Sequence, residues 1–599
     1  MKLSDYVTLF FEKQNLKDMF MVTGGGCMHL VDSFGRSSII KYWCTEHEQA
    51  ASMAAEAYSK MKNDIGLVLV TSGPGATNTI TGVLDCYQDS IPVVFISGQS
   101  KSKQTVLHSK IEGLRQFGVQ EANIIPIVEP ITKYAVEITD PSSVRYHLEK
   151  ALFLAKNGRP GPVWISIPLD VQSAIIDEDA LNAYDAEKES AIKIEPSDEE
   201  ITYCIDRLNQ AKRPVIIAGH GIRLSDSCEI FEEFVNRNKI PVVTPIMGID
   251  NLPGDHPCNI GRTGTKGTRA GNLAMQNADL IISIGSRLSV SVVGHEYDLF
   301  AREARVIIVD IDTIEHKKQT ITNIDKIINC DAKQFIKRML ASAQSNFAAW
   351  LDVCSNWKKK YPVVLPQYEN DSKGLNYYKF IDILNHHMSP HMPIISDAGS
   401  AFYVVSQAVN LKKNQRYITT GGTATMGFTV PAAIGVSVSV SNKPVIAITG
   451  EGSFMQNLQE LEVIHYHQLN IKLFVMNNNG YYSIHQTQKR YFSDNFVGEG
   501  PDSGISFTSV KKIAEAFDIK YYKFDKISIS EEKIDEILQS ETPEIVEVIV
   551  DTNMEIIPTA SSVMKEDGTM VSKPLEDMYP FLDREEFAEM MIVKMVNND

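Results

Sequence analysis

The sequence predicts an α/β protein of three consecutive doubly wound parallel-sheet domains. Three observations carry this prediction. Apolar runs of strand length alternate with helical stretches from end to end, the pattern of βαβ units. These runs end in glycine-bearing turns that open helices, as the carboxyl edge of a parallel sheet requires. Two polar stretches, 185–200 and 368–375, divide the 599 residues into lengths that one core each can fill. The domains are predicted over 1–180, 190–350 and 370–555, with a turn-rich tail over 556–599.

The first segment opens on MKLSDYVTLFFEKQNLKDMF, apolar and charged at helical spacing, which leads into a strand at 19–23 and Gly24-Gly25-Gly26. A helix at 29–34 and a short strand at 39–43 follow, and then His47-Glu48-Gln49 starts an Ala-rich helix over 50–61. By itself Glu48 reads as a first-turn acid favoured by the helix dipole. A strand at 66–71 ends in Ser72-Gly73-Pro74-Gly75-Ala76-Thr77-Asn78, which opens another helix, and 92–97 is again a strand. GRPGPVW, from Gly158, leads into the strand that closes this domain.

The second segment places strands at 214–218, 241–245, 280–285 and 306–311 and a helix at 229–238. Its Gly219-His220-Gly221 turn and the acids Asp310 and Asp312 at a strand end suit a dinucleotide site, although any α/β turn uses such glycines. In the third segment a helix at 378–388 and a strand at 392–396 precede Asp397-Ala398-Gly399-Ser400. Gly421-Gly422-Thr423-Ala424-Thr425-Met426-Gly427 then leads to a helix near Pro431.

The chemistry concentrates after the next strand, 445–449. Glu451 lies between Gly450 and Gly452 and is followed by Ser453, a helix at 457–467 and a buried strand at 472–476. That strand ends in Asn477-Asn478-Asn479-Gly480-Tyr481, and Asn478 lies 27 residues beyond Glu451. A carboxylate and an amide on neighbouring strand ends, beside the free N–H groups of a helix start, form a site for Mg²⁺ plus a diphosphate. The alternative reading is an ordinary βαβ turn with a solvated glutamate.

Composition narrows the partners. The chain is 43% hydrophobic and 22% charged, ordinary for a globular protein, and its formal charge of −17 excludes nonspecific nucleic-acid or anionic-membrane binding. Eight cysteines occur without a CxxC pair, which argues against zinc and suits a reducing cytoplasm. No signal-peptide core and no bilayer-length apolar run is visible.

Taken together, four stretches resemble the thiamine-diphosphate enzymes, and most closely the acetohydroxyacid (acetolactate) synthase catalytic subunit. They are His47-Glu48-Gln49-Ala50-Ala51, TSGPGATN, the Met426 segment, and the 451–480 region, which matches a GDG…NN metal motif. The resemblance implies that Glu48 hydrogen-bonds the aminopyrimidine ring and that Gln120, in Phe117-Gly118-Val119-Gln120-Glu121, is an active-site glutamine. It implies cofactor contacts from Gly25, Gly73, Asn78, Gly399, Ser400, Ala424, Met426, Gly452, Ser453 and Tyr481, and Mg²⁺ ligands from Glu451, Asn478 and Gly480. It further implies a homodimer or tetramer with active sites between subunits.

The implied activity is decarboxylation of a 2-keto acid, pyruvate first, and transfer of the two-carbon unit to a carbonyl acceptor. The tail resembles that of synthase-like proteins of bacterial surface-polysaccharide clusters, so the acceptor is a second 2-keto acid or a nucleotide-linked keto-sugar. A decarboxylase, a C–C hydrolase and a non-catalytic subunit are the alternatives. Three departures stand out. Glu451 replaces the family's Asp, which predicts a strained carboxylate and weaker metal binding; Val119 replaces a Phe; and Arg287 remains of two arginines that hold FAD. FAD is left open, with Arg262, Lys266 and Arg269 as candidate replacements. Lys133 reads as a surface lysine.

Overall fold

The computed structural model describes residues 1–189, 194–370, 374–525, 531–564 and 570–596. Strands β1 (Asp18–Met21), β2 (Lys41–Cys44), β3 (Gly66–Val70), β4 (Val93–Gln99), β5 (Tyr134–Glu137) and β6 (Val163–Pro168) form the first sheet. The second holds β7 (Pro214–Ala218), β8 (Val242–Thr244), β9 (Asn259–Arg262), β10 (Leu280–Ile284), β11 (Arg305–Asp310) and β12 (Ile324–Asn329). The third holds β13 (Ile394–Ser396), β14 (Tyr417–Ile418), β15 (Val445–Gly450), β16 (Ile471–Asn477), β17 (Lys520–Phe524) and β18 (Glu544–Ile549). All pairings within the three sheets are parallel. Every residue of β3, β4, β6, β7 and β10 is buried, as expected where helices cover both faces.

The first and third sheets share one strand order, β2-β1-β3-β4-β6-β5 and β14-β13-β15-β16-β18-β17. Their order reverses between β1 and β3 and between β13 and β15. The central sheet, β12-β11-β10-β7-β8-β9, reverses between β7 and β10, the plan of dinucleotide-binding sheets. In open α/β sheets the ligand crevice lies beyond the carboxyl ends at such a reversal. All three reversals are therefore places to look for a site.

One hydrophobic core joins the first and third sheets. It is centred on the helix Glu48–Lys62 packed against the helix Thr429–Ser439. Ala50, Ala51, Ala54 and Ala55 are fully buried, and a Cβ on Gly435 would lie 1.9 Å from the Ala54 carbonyl oxygen. Only small residues let the two helices approach this closely.

The tail is pinned to the central domain. Ala560 N–H donates to Thr265 O, Asn272 to Leu575 O, and Arg302 pairs with Glu576. Glu566, Asp567 and Gly568 lie outside the described residues. The helix expected over 457–467 is shorter, a 3-10 turn Leu458–Glu460 followed by Leu461–Tyr466. Asn457 stays out of it because its amide is turned to the Gly427 carbonyl at 2.8 Å. No helix among the described residues is long and apolar enough to cross a membrane.

Candidate functional site

The third sheet brings the candidate metal ligands together over the carboxyl ends of β15 and β16, beside its reversal. Glu451 opens the short helix Glu451–Phe454 at the end of β15, and its side chain is buried. Its Oε1 accepts from the Gly480 N–H at 2.7 Å and the Asn478 N–H at 3.2 Å. The Asn478 amide terminus lies 2.7 Å from Gly480 O and 3.3 Å from Glu451 Oε1. With the amide NH₂ inward these groups hydrogen-bond one another. With its oxygen inward, three oxygens converge at spacings close to the roughly 2.9 Å edge of a Mg²⁺ octahedron with ligands at about 2.0–2.1 Å. The residues present therefore fit a hard cation held by one carboxylate and two neutral oxygens. Among the described residues no group of three or more His, Cys, Asp or Glu side chains offers another metal site.

Glu451 is met by its loop. The loop at 478–480 closes onto the longer side chain, with Asn479 in a left-handed conformation at φ +62°. Burial pushes the Glu451 carboxyl up to about 7, against the N–H groups of Gly480, Asn478 and Asn479 that pull it down. A bound cation would favour the ionised form.

Gly399 and Ser400 begin the helix Gly399–Ala408 on the other strand of the same reversal, and a Cβ on Gly399 would sit 3.5 Å from Ser483 Oγ. Gly452 lies against the Tyr481 ring, with 2.3 Å left for a Cβ. Ser453 has a second occupation. Its hydroxyl donates to Asp397 Oδ2 and accepts the Gly427 N–H at 2.7 Å, so only its backbone is left to face an anion. Asp397 went unrecognised in the sequence. It is completely buried, also accepts from Thr449 Oγ1 at 3.0 Å, and ties β13, β15 and the Met426 loop together. In sequence it looks like any acid after a strand.

The first sheet gathers the second group of residues. Glu48 is half-buried at its helix N-terminus, and its Oε2 accepts from Asn78 Nδ2 at 2.9 Å. Gly73 has φ +61°, and a Cβ there would lie 2.4 Å from Gln120 O. The β3 turn and the Gln120 loop therefore require glycine to meet. Gln120 itself is exposed with φ +54°, and Gly25 faces open space. A second buried acid, Glu460 of the third domain, accepts the Glu46 and His47 N–H groups at 3.2 and 3.1 Å and so fixes the start of the Glu48 helix. Sequence reasoning missed it, for its partners are over 400 residues away.

The two groups adjoin within one chain, since Asn457, which bonds the Gly427 carbonyl, also reaches Gln49 Oε1 at 3.4 Å. Glu48 is tied to Asn78, whereas Met426 Sδ meets Gln456 Nε2 at 3.6 Å; among the described residues no hydrogen bond links Glu48 to the metal loop. Lys133 is not a free surface lysine, since its Nζ donates to Asn157 O at 2.6 Å and burial lowers it to about 8.

A cavity of about 780 Å³ lies at the central reversal, lined by Gly219, His220, Gly285, Arg287, Asp310 and, from the third domain, Ala424. Its volume suits a nucleotide-sized ligand. His220 Nδ1 lies 3.1 Å from Met247 O; its buried Nε2 has no partner, and burial lowers the ring to about 4, so it is a neutral acceptor. Lys266 lines the cavity over the Tyr403 ring. Arg262 and Arg269 are consumed elsewhere, by the carbonyls of Ser406 and Val409 and of Met578 and Pro580. Of the three candidate flavin cations, only Lys266 therefore lines the cavity.

Comparison with known proteins identifies the three domains. Three family models match in order: the thiamine pyrophosphate enzyme N-terminal TPP binding domain over 1–138, the central domain over 201–339, and the C-terminal TPP binding domain over 397–548. The chain is 32% identical to the acetolactate synthase large subunit of Lactococcus lactis subsp. lactis, covering 92% of this chain and 94% of that protein. It is 28% identical to the acetolactate synthase isozyme 1 large subunit of Escherichia coli (93% and 95% covered). It is 30% identical to the probable acetolactate synthase large subunit of Methanocaldococcus jannaschii (92% of each).

Proposed function

The chain belongs to the thiamine pyrophosphate enzymes, and on that premise we propose that it is a carboligase, a transferase of the acetolactate synthase type. It decarboxylates a 2-keto acid, pyruvate first, and joins the two-carbon unit to a carbonyl acceptor. The observation that carries this reading is the convergence of Glu451, Asn478 and Gly480 over the carboxyl ends of β15 and β16, beside the β13/β15 reversal. Thiamine diphosphate supplies the electron sink for loss of CO₂ when bound.

Glu451, Asn478 and Gly480 O would hold Mg²⁺. Gly399, Ser400, Gly452 and the Ser453 backbone receive the diphosphate at two helix starts. Ala424 O would accept from the cofactor's amino group, and Met426 and Tyr481 would pack against it. Glu48 exchanges a proton with the pyrimidine ring nitrogen, and Gly25, Gly73, Asn78 and Gln120 shape its surroundings. The family resemblance supports a working site formed between two protomers, Glu48 of one meeting Met426 of its partner. Dimer and tetramer both satisfy this.

The acceptor is a second 2-keto acid or a keto-sugar. The 780 Å³ cavity has the size and placement for FAD or for a nucleotide-linked acceptor. Free cysteines throughout fit a reducing, cytoplasmic setting. The test is CO₂ release from pyruvate with and without thiamine diphosphate and Mg²⁺. Release that needs both and disappears in Glu48→Gln supports the proposal; no release from any 2-keto acid overturns it.

A further inference from the structure

The loop that presents Ala424 and Met426 carries an unusual backbone. Ala424 has φ +50°, a left-handed conformation that its Cβ disfavours. Such a residue persists only where its surroundings over-determine it. Its own domain contributes an Ala424 N–H bond to Thr420 O at 2.9 Å and a Thr425 N–H bond to Thr420 Oγ1 at 2.9 Å.

The rest of the grip comes from the first domain. Asp85 Oδ1 accepts from Thr423 Oγ1 at 2.6 Å and from Thr425 Oγ1 at 2.8 Å, holding the residues on both sides of Ala424. Asp89 accepts the Gly421 and Gly422 N–H groups at 2.9 and 2.8 Å. Lys60 Nζ bonds Asp89 at 2.8 Å, Glu56 at 2.6 Å and Thr419 O at 2.7 Å. Asp85, Asp89, Glu56 and Lys60 are all buried.

Asp85 is the member that spans the left-handed residue, one of its oxygens taking the hydroxyls of Thr423 and Thr425. Its Oδ2, like Glu56 Oε2, is buried without a partner among the described residues, and Asp89 lies close enough to disfavour its charge. Burial raises its carboxyl to about 6, the two threonine hydroxyls and Lys60 pulling the other way. The folded value exceeds the ordinary 3.8, so ionising Asp85 works against the fold as pH rises toward about 6.

We propose that Asp85 is a positioning residue that clamps Thr423 and Thr425 and thereby aims the Ala424 carbonyl at the cofactor's amino group. The consequence for catalysis rests on the cofactor assignment above, whereas the clamp itself does not.

Two measurements separate these. The first is backbone hydrogen–deuterium exchange over 421–427 in the cofactor-free protein. It should quicken about tenfold or more in Asp85→Val and in Thr425→Val, which removes the same contact from the other side. The second is deuterium exchange at the thiamine C2 position, with thiamine diphosphate affinity measured alongside. C2 exchange should slow about tenfold or more in both variants, since small misplacements at a reacting centre are felt strongly. The double variant should be no slower than the worse single one, and Asp85→Asn, which keeps one acceptor oxygen, should recover part of the rate.

A merely structural Asp85 would instead lower the melting temperature of the cofactor-free Asp85→Asn protein. The clamp predicts an unchanged or higher one at neutral pH. Wild-type loop protection in Asp85→Val overturns the clamp. A loosened loop with unaltered C2 exchange and affinity overturns its role in positioning. Wild-type protein that binds no thiamine diphosphate overturns the cofactor assignment and leaves the loop measurement to decide the clamp.

Discussion

Replacing Glu451 by aspartate tests whether the metal loop is built around the longer side chain. The substitution withdraws the carboxylate by one C–C bond, about 1.5 Å. The contacts of Oε1 with the Gly480 and Asn478 N–H groups, 2.7 and 3.2 Å, would open well beyond hydrogen-bond length. Hydrogen bonds to a charged group contribute roughly 1.5–3 kcal/mol each. Allowing water to replace one of the two, the loss is about 1.5–3 kcal/mol, or a rise of about 10- to 150-fold in the Mg²⁺ concentration for half-maximal activity. The assay is a Mg²⁺ titration of CO₂ release at saturating thiamine diphosphate, with circular dichroism to establish folding. A requirement equal to or below that of the wild type would show that glutamate is a strained substitute for aspartate, and the fitted-loop reasoning would be wrong.

Glu48→Gln should keep the fold and cofactor affinity yet lose roughly 10²–10⁴-fold in turnover, because the amide cannot exchange a proton with the pyrimidine nitrogen; turnover within a few-fold of wild type speaks against the assignment. Mixing inactive Glu48→Gln and Met426→Ala proteins should restore part of the activity by subunit exchange, and a fully active monomer at sedimentation equilibrium would contradict the shared site. Burial raises Glu460 from the usual 4.5 to about 7, so its stabilising contribution is full below pH 4.5 and lost as pH rises toward 7. Glu460→Gln, one backbone acceptor short, should therefore be less stable than wild type in acid by about 1 kcal/mol and gain on it up to neutral pH, as thermal melts across that range would show. Gly435→Ala should push two helices apart at the Ala54 carbonyl and lower the melting temperature by several degrees, on the order of 2 kcal/mol; an unchanged melt would mean the helices adjust freely.

Much of the fold could be read in the sequence because fully buried parallel strands are continuous apolar runs bounded by turns. The strand expected at 214–218 is β7 to the residue, and those expected at 445–449 and 472–476 miss β15 and β16 by one residue at each differing end. Strand order was less accessible, since whether β1 lies between β2 and β3 is decided by packing between distant segments. The same holds within the site. Glu451 and Asn478 follow from spacing along one βαβ unit and Gly480 from the motif that unit resembles, but Asp85, Asp397 and Glu460 follow from neither. In sequence a buried acid looks like a solvated one, and each of these is defined by partners far along the chain. Asp85 meets Thr425 340 residues later, and Glu460 meets His47 413 residues earlier. The shortened helix after Asn457 has the same origin, an amide recruited by Gly427 from outside the segment.

The most direct test of the central claim is the fate of the two-carbon unit. Isotopically labelled pyruvate is incubated with the protein, thiamine diphosphate and Mg²⁺, and the products are identified by NMR. The account predicts that the labelled unit emerges bonded to a second carbonyl compound, one CO₂ released for each product, and that Glu48→Gln forms none. Recovery of the whole label as free acetaldehyde, or as unreacted pyruvate, would contradict it.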